Sequence, residues 1–251
     1  SGTGRGGSSG SGGAGATVES CPATAPVGGN CTLIDDLNNG VEQVIQQDLR
    51  DGYWYSYNTG GTETAVMTAV DGAVNLAGSA TEWGPGIGFN LLKSPKLAGK
   101  YFPCAYDASA FTGLQFDLKV TTLETGAGPI RVKITEPATI PAAEGGTCSG
   151  DSSTCSNAHG WNLAGVTADG QWHTQTLSFA NIAQEAGWGV QATWDPAQMV
   201  AVQWQIKHAG TAAAAVRAEA TASFCASVNG WPSVVWKTTC PLPRAATGND
   251  C

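Results

Sequence analysis

Residues 113–120 read GLQFDLKV, an unbroken alternation that sets Leu114, Phe116, Leu118 and Val120 against Gln115, Asp117 and Lys119. A period of two is that of a β-strand with one buried and one wet face. The pattern recurs. Residues 129–135 set Ile130, Val132 and Ile134 against Arg131 and Lys133, and residues 199–208 set Val200, Val202, Trp204 and Ile206 against Gln203, Gln205 and Lys207. Residues 216–224 set Val216, Ala218, Ala220, Ala222 and Phe224 against Arg217, Glu219, Thr221 and Ser223. Further strands are expected at 32–37, 53–58, 73–77, 86–92 and 171–179. One helix is expected, at 41–49, where Val41, Val44, Ile45 and Leu49 share a face and Asn39 can cap the start. So few helices leave no crossovers for a parallel sheet. The expected fold class is all-β, an antiparallel β-sandwich or jelly roll with one short helix.

The chain of 251 residues carries 13% charged residues and a net charge of −8. Nucleic acid is excluded as a partner on this reading, because counterion release needs a basic face. No apolar run is long enough to span a bilayer as a helix, so no transmembrane segment is expected. Eight cysteines without a C-x-x-C pair favour disulfides in an oxidising compartment. Spacing chooses only the close pair Cys148/Cys155 and leaves the rest of the connectivity open. Ser1 stands where a start Met or an apolar signal core would be, which reads as a processed, secreted chain.

Three regions follow. Residues 1–31 form a Gly/Ser-rich tail or assembly segment, with eight glycines and four serines in the first fifteen positions. Residues 32–225 form the sandwich domain. Residues 226–251, rich in Cys, Pro and Trp, form an appendage expected to be tied by disulfides.

Few catalytic signals survive. Residues 82–93, EWGPGIGFNLLK, have glycines at 84, 86 and 88, but Phe89 stands where the dinucleotide fingerprint needs its third glycine. Lys93-Ser94 lacks the preceding glycine of a phosphate loop. These glycines instead let a strand bend or let another backbone come close, with Phe89 and Leu91 inward and Trp83 over one end of the core. His159, His173 and His208 stand without a G-x-S-x-G elbow or an H-x-x-x-H pair and read as surface or loop residues. Candidate carboxylates for a glycosidase pair are Asp35, Asp36, Asp117, Glu136, Glu185 and Glu219, whose separations the sequence does not fix. The chain is therefore read as not an enzyme. Nine tryptophans and five tyrosines in so uncharged a chain suit stacking on sugars. Within 53–57, where Tyr53, Trp54, Tyr55 and Tyr57 alternate, at least one pair must face away from the core.

LIDDLNNG (33–40), DGYWYSYNTGGT (51–62), EWGPGIGFNL (82–91), AYDASAFTGLQFDLKV (105–120) and RVKITEPATIP (131–141) are part of an ordered set over residues 33–224. The set resembles the galactose-binding-like jelly-roll modules of bacterial secreted and surface proteins, including myxobacterial ones and some carbohydrate-binding modules. The resemblance implies a non-catalytic sandwich whose polar sheet face binds oligosaccharide. Carried over, the ligand-binding residues are Asp117, Arg131, Lys133, Gln203 and Gln205, with Tyr55 as a stacking ring. It also implies a structural calcium in many relatives, for which Asp35 and Asp36 are the candidates. Two departures remove carboxylates from the relatives' pattern: Ala220-Thr221 replaces an Asp pair, and Asn58-Thr59-Gly60 replaces an N-D-G turn. No other cofactor is expected.

Two functions fit. One is an extracellular or cell-surface module that binds an oligo- or polysaccharide. The other is a structural subunit of an extracellular filament, self-associating through its N- and C-terminal extensions; low charge lowers the desolvation cost of such contacts.

Overall fold

The computed structural model of the chain describes residues 21, 31–35, 43–58, 64–70, 73–80, 84–97, 100–123, 127–208 and 214–225. The tail at 1–20, the appendage at 226–251, Trp83, Asp36 and the expected helix start at 41–42 lie outside them.

Thirteen strands are described: β1 Cys31–Asp35, β2 Trp54–Tyr57, β3 Thr64–Val70, β4 Ala73–Ala80, β5 Gly86–Asn90, β6 Lys96–Leu97, β7 Lys100–Tyr101, β8 Gly113–Leu123, β9 Ala127–Thr135, β10 His159–Asn162, β11 Trp172–Ser178, β12 Ala201–His208 and β13 Ala214–Cys225. One four-residue helix, α1, spans Ser152–Cys155. All pairings between these strands are antiparallel. One sheet runs β11-β8-β13-β4-β3, with β1 also on β13, and the other runs β10-β9-β12-β5-β2; β6 and β7 pair separately.

The alternation decides the layering. On β8 the side chains Leu114, Phe116, Leu118 and Val120 are all buried. They face Ile130, Val132 and Ile134 of β9 and Val202, Trp204 and Ile206 of β12, which join the same core. Phe116 meets Trp204 edge-on at 5.2 Å across the two sheets, and Trp54 stacks on Trp204 at 5.8 Å. Each such side chain contributes about 1.5–3 kcal/mol by leaving water, and the Phe116–Trp204 contact ties the two layers together. Ile87, Phe89 and Leu91 are fully buried, as the reading of EWGPGIGFNLLK requires.

The expected helix is not formed over 43–49. Its backbone groups go across the fold instead: Val44 N–H donates to Gly52 O at 3.1 Å and Ile45 N–H to Ile34 O at 3.0 Å. Asp48 and Leu49 then take positive φ of 55° and 66°, turning Leu49 outward and Arg50 inward. Buried Arg50 donates to Leu33 O at 2.7 Å and Thr32 Oγ1 at 3.2 Å, and pairs with Asp48 at 3.5 Å. A second correction concerns His159, expected at the surface. It is a buried member of β10, its Nδ1 2.5 Å from Glu136 Oε2, while Glu136 Oε1 accepts from Asp195 N–H at 2.8 Å.

Cys148 and Cys155 form the expected disulfide, and Cys21 is bonded to Cys104. Cys31 and Cys225 are register partners on β1 and β13. Asp35 is fully buried and its Oδ2 accepts from Trp54 Nε1 at 2.7 Å. Among the described residues no group of three or more His, Cys, Asp or Glu converges. Nor does any described helix have the length and apolarity to cross a membrane.

Candidate ligand-binding cleft

The outward residues of the five-stranded sheet form two rungs across it. In the first, β9 Lys133 lies opposite β12 Gln203, which lies opposite β5 Gly88, which lies opposite β2 Tyr55. In the second, Arg131, Gln205, Gly86 and Tyr57 follow in the same order. Each rung is thus a cation, an amide, a glycine and a tyrosine. The glycines are what allow the others to meet. A Cβ on Gly86 would sit 2.4 Å from the Tyr57 ring, and one on Gly88 would sit 2.8 Å from Gln203 Cγ. Across the space left at Gly88, Gln203 Nε2 donates to the Tyr55 hydroxyl at 2.8 Å. The Tyr55 and Tyr57 rings stand 6.3 Å apart, tilted by 44°.

Loops raise walls on this floor. Asn157 is buried and holds the 185–188 loop at three points: its Nδ2 donates to Glu185 O and Trp188 O at 2.8 Å each, and its Oδ1 accepts from Glu185 N–H at 3.0 Å. Further wall residues come from the turns at Pro137–Thr139 and Ala142–Glu144 and from α1, capped by Asp151 and bound to the 148 turn by the Cys148–Cys155 disulfide. The open cleft between them is about 740 Å³, with Tyr55, Tyr57, Gln203 and Gln205 among its lining residues. That is within the range of small-molecule binding sites.

The floor is electrostatically tense. Lys133 falls from lysine's ordinary 10.5 to about 8, chiefly through burial and further through Arg131 and Lys207, with Glu185 opposing. Its Nζ donates to Gln205 Oε1 at 3.3 Å and lies 5.6 Å from the centre of the Tyr57 ring. Burial also lowers Arg131, which Glu185 partly offsets. The Arg131 guanidinium donates to Ala183 O at 2.9 Å, Ala158 O at 3.2 Å and Asn162 Oδ1 at 3.3 Å. Burial would raise Glu185, but Lys207, Arg131 and Trp188 together hold it below the usual carboxylate range, and Lys207 Nζ bonds its Oε1 directly. Burial pushes Tyr55 up to about 12, and burial with the neighbouring Tyr55 raises Tyr57 well above the usual tyrosine value.

Five of the six residues singled out from sequence, Arg131, Lys133, Gln203, Gln205 and Tyr55, meet in this cleft. Asp117 does not. It belongs to β8 in the other sheet, where its Oδ1 accepts from Thr174 Oγ1 at 2.6 Å. Alternation shows which residues face outward but not from which sheet. Tyr57, Lys207 and Asn90 were missed although their strand parity matches that of Tyr55, Gln205 and Gly88. Asn157 and Trp188 come from loops, where no periodicity marks them.

No protein-family model matches the chain, and no curated protein matches it. Among solved structures it is similar to the family 11 carbohydrate-binding module of a cellulosomal cellulase of Clostridium thermocellum, with 14% identity and a TM-score of 0.44 over 82% of this chain and 97% of that one. A second structure of the Clostridium thermocellum family 11 module, in complex with a β-1,3-1,4-mixed-linked tetrasaccharide, matches with 14% identity and a TM-score of 0.46, over 79% of this chain and 96% of that one. The N-terminal cellulose-binding domain of β-1,4-glucanase C from Cellulomonas fimi matches at 15% identity and a TM-score of 0.34, over 82% and 99%.

Proposed function

We propose that the chain is a non-catalytic carbohydrate-binding module whose ligand lies along the outer face of the five-stranded sheet. One observation carries this reading: the paired rungs of tyrosine, glycine, amide and cation floor a walled cleft of about 740 Å³. Sugars offer flat C–H faces to rings and vicinal hydroxyls to amides and cations, and the cleft holds these groups side by side on rigid strands. The carboxylates support a role without catalysis. Glu185 is bonded to Lys207, Glu136 is bonded to His159, and Glu144 is exposed on the rim. Two disulfides support an extracellular location. The sequence resemblance to galactose-binding-like jelly rolls of bacterial surface proteins supports the same class of ligand.

Calorimetry against a panel of plant and bacterial polysaccharides tests the reading. Tyr55→Ala with Gln203→Ala is expected to weaken the best ligand by about tenfold or more, the equivalent of one or two lost contacts. A parent chain that binds none of the panel, or a double variant that binds as the parent does, would overturn it.

A further inference from the structure

We propose that the saccharide this cleft accepts is anionic, carrying a uronate carboxylate or a sulfate ester that is received at Lys133. The inference rests on the carbohydrate reading and narrows it. In a chain of net charge −8, three cations line the cleft against two carboxylates, and the two are not equivalent. Glu144 is exposed on the rim, whereas Glu185 is bonded to Lys207. Arg131 and Lys133 therefore stand together on the floor with Glu185 as the carboxylate they share, and Lys207 already holds that group. Such an arrangement repels a fourth cation and draws an anion.

Donor geometry points to Lys133 as the receiving group. Arg131 is buried and spends its donors on two backbone carbonyls and Asn162, so it acts as a fixed charge behind the floor. Lys133 is less buried than Arg131, and among the described residues its ammonium has one hydrogen-bond acceptor, Gln205 Oε1 at 3.3 Å. An ammonium has three donors, which leaves two for a ligand oxygen. A neutral hydroxyl would satisfy the donors but leave the charge; an anionic oxygen does both. Burial and the neighbouring cations already make the proton on Lys133 costly to hold, and a bound anion would relieve that cost. Tyr57, Gln205, Arg131, Lys207 and Glu185 are the groups that face it.

The test pairs each acidic polysaccharide, including polygalacturonate, alginate and hyaluronate, with its own carboxyl-reduced form, and adds dextran sulfate beside dextran. The expected result is that the parent chain prefers at least one acidic member over its neutral twin by about tenfold, with the preference falling as salt rises. In Lys133→Met the acidic-to-neutral affinity ratio is expected to fall toward one; should that variant fail to fold, the salt dependence of the parent's preference decides. A preference within the uronate pairs assigns the group to a carboxylate, and one confined to dextran sulfate assigns it to sulfate. Equal affinity within every pair, or binding of neutral glycans alone, overturns the anionic site while leaving the carbohydrate reading intact. Binding to no polysaccharide overturns both.

Discussion

Replacing Gly88 by alanine tests the cleft and the sheet together. The new Cβ would lie 2.6 Å from Val202 O and 2.8 Å from Gln203 Cγ, where an ordinary contact is 3.4–4 Å. Relief requires a shift of roughly 0.8 Å, as judged from the steep repulsive wall of such contacts. Gln203 can swing, but Val202 O belongs to β12, which pairs on both sides with β5 and β9 and cannot retreat alone. Overpacking of this kind costs about 1–3 kcal/mol. For a chain of this size that corresponds to a fall in melting temperature of roughly 2–12 °C. The Gln203 to Tyr55 hydrogen bond should be lost with it, and glycan affinity should drop further than the stability change explains. Differential scanning calorimetry and binding on the same sample read the two effects separately. Gly88→Ala combined with Gln203→Ala removes the 2.8 Å contact but keeps the 2.6 Å one, so it should recover stability only in part. An unchanged melting temperature in the single variant would refute the claim that close approach, and nothing else, demands glycine here.

Lys133 gives a prediction in pH. Its folded value of about 8 lies below the 10.5 of an ordinary lysine, so between these values the unfolded chain holds the extra proton and stability rises with pH. Urea midpoints of the parent relative to Lys133→Met should increase from about pH 7.5 to pH 10, and a flat or falling difference would contradict the assignment. The Tyr57 hydroxyl is buried without a hydrogen-bond partner among the described residues, so Tyr57→Phe should leave the melting temperature unchanged or raise it, by up to about 1 kcal/mol of stability. The two disulfides should differ in worth on chain-entropy grounds. Opening Cys148–Cys155, which closes a separation of 7 residues, should cost about 2–3 kcal/mol, and opening Cys21–Cys104, which closes 83, about 4–5, as read from denaturant unfolding of Cys→Ser pairs.

What the sequence disclosed follows from where periodicity rules. β8, β9 and β12 each keep one apolar face, so their strands, their inward residues and the polar set Arg131, Lys133, Gln203 and Gln205 were legible together. Sheet membership was not, which is why Asp117 was grouped with residues of the other layer. Residues 41–49 misled because Val44, Ile45 and Leu49 fit a helical spacing that two left-handed residues break, and burying Arg50 mattered more than burying Leu49. β3 escaped notice because TAVMTAV lacks a clear polar face, and β10 because HGWN is short and its histidine is recruited by a distant glutamate. The cleft walls hang on Asn157, a contact between segments 28 to 31 residues apart that no local pattern encodes.

The Cys21–Cys104 bond also decides how the protein would bear mechanical load. β1 and β13 are antiparallel, with Cys31 and Cys225 as register partners. A pull applied ahead of Cys21 passes to Cys104, to which Cys21 is fastened. Cys104 is two residues from Tyr106, whose backbone exchanges hydrogen bonds with Met199 at 2.7 and 3.2 Å, just ahead of β12. Tension from that side therefore enters at the root of the sheet that carries the cleft.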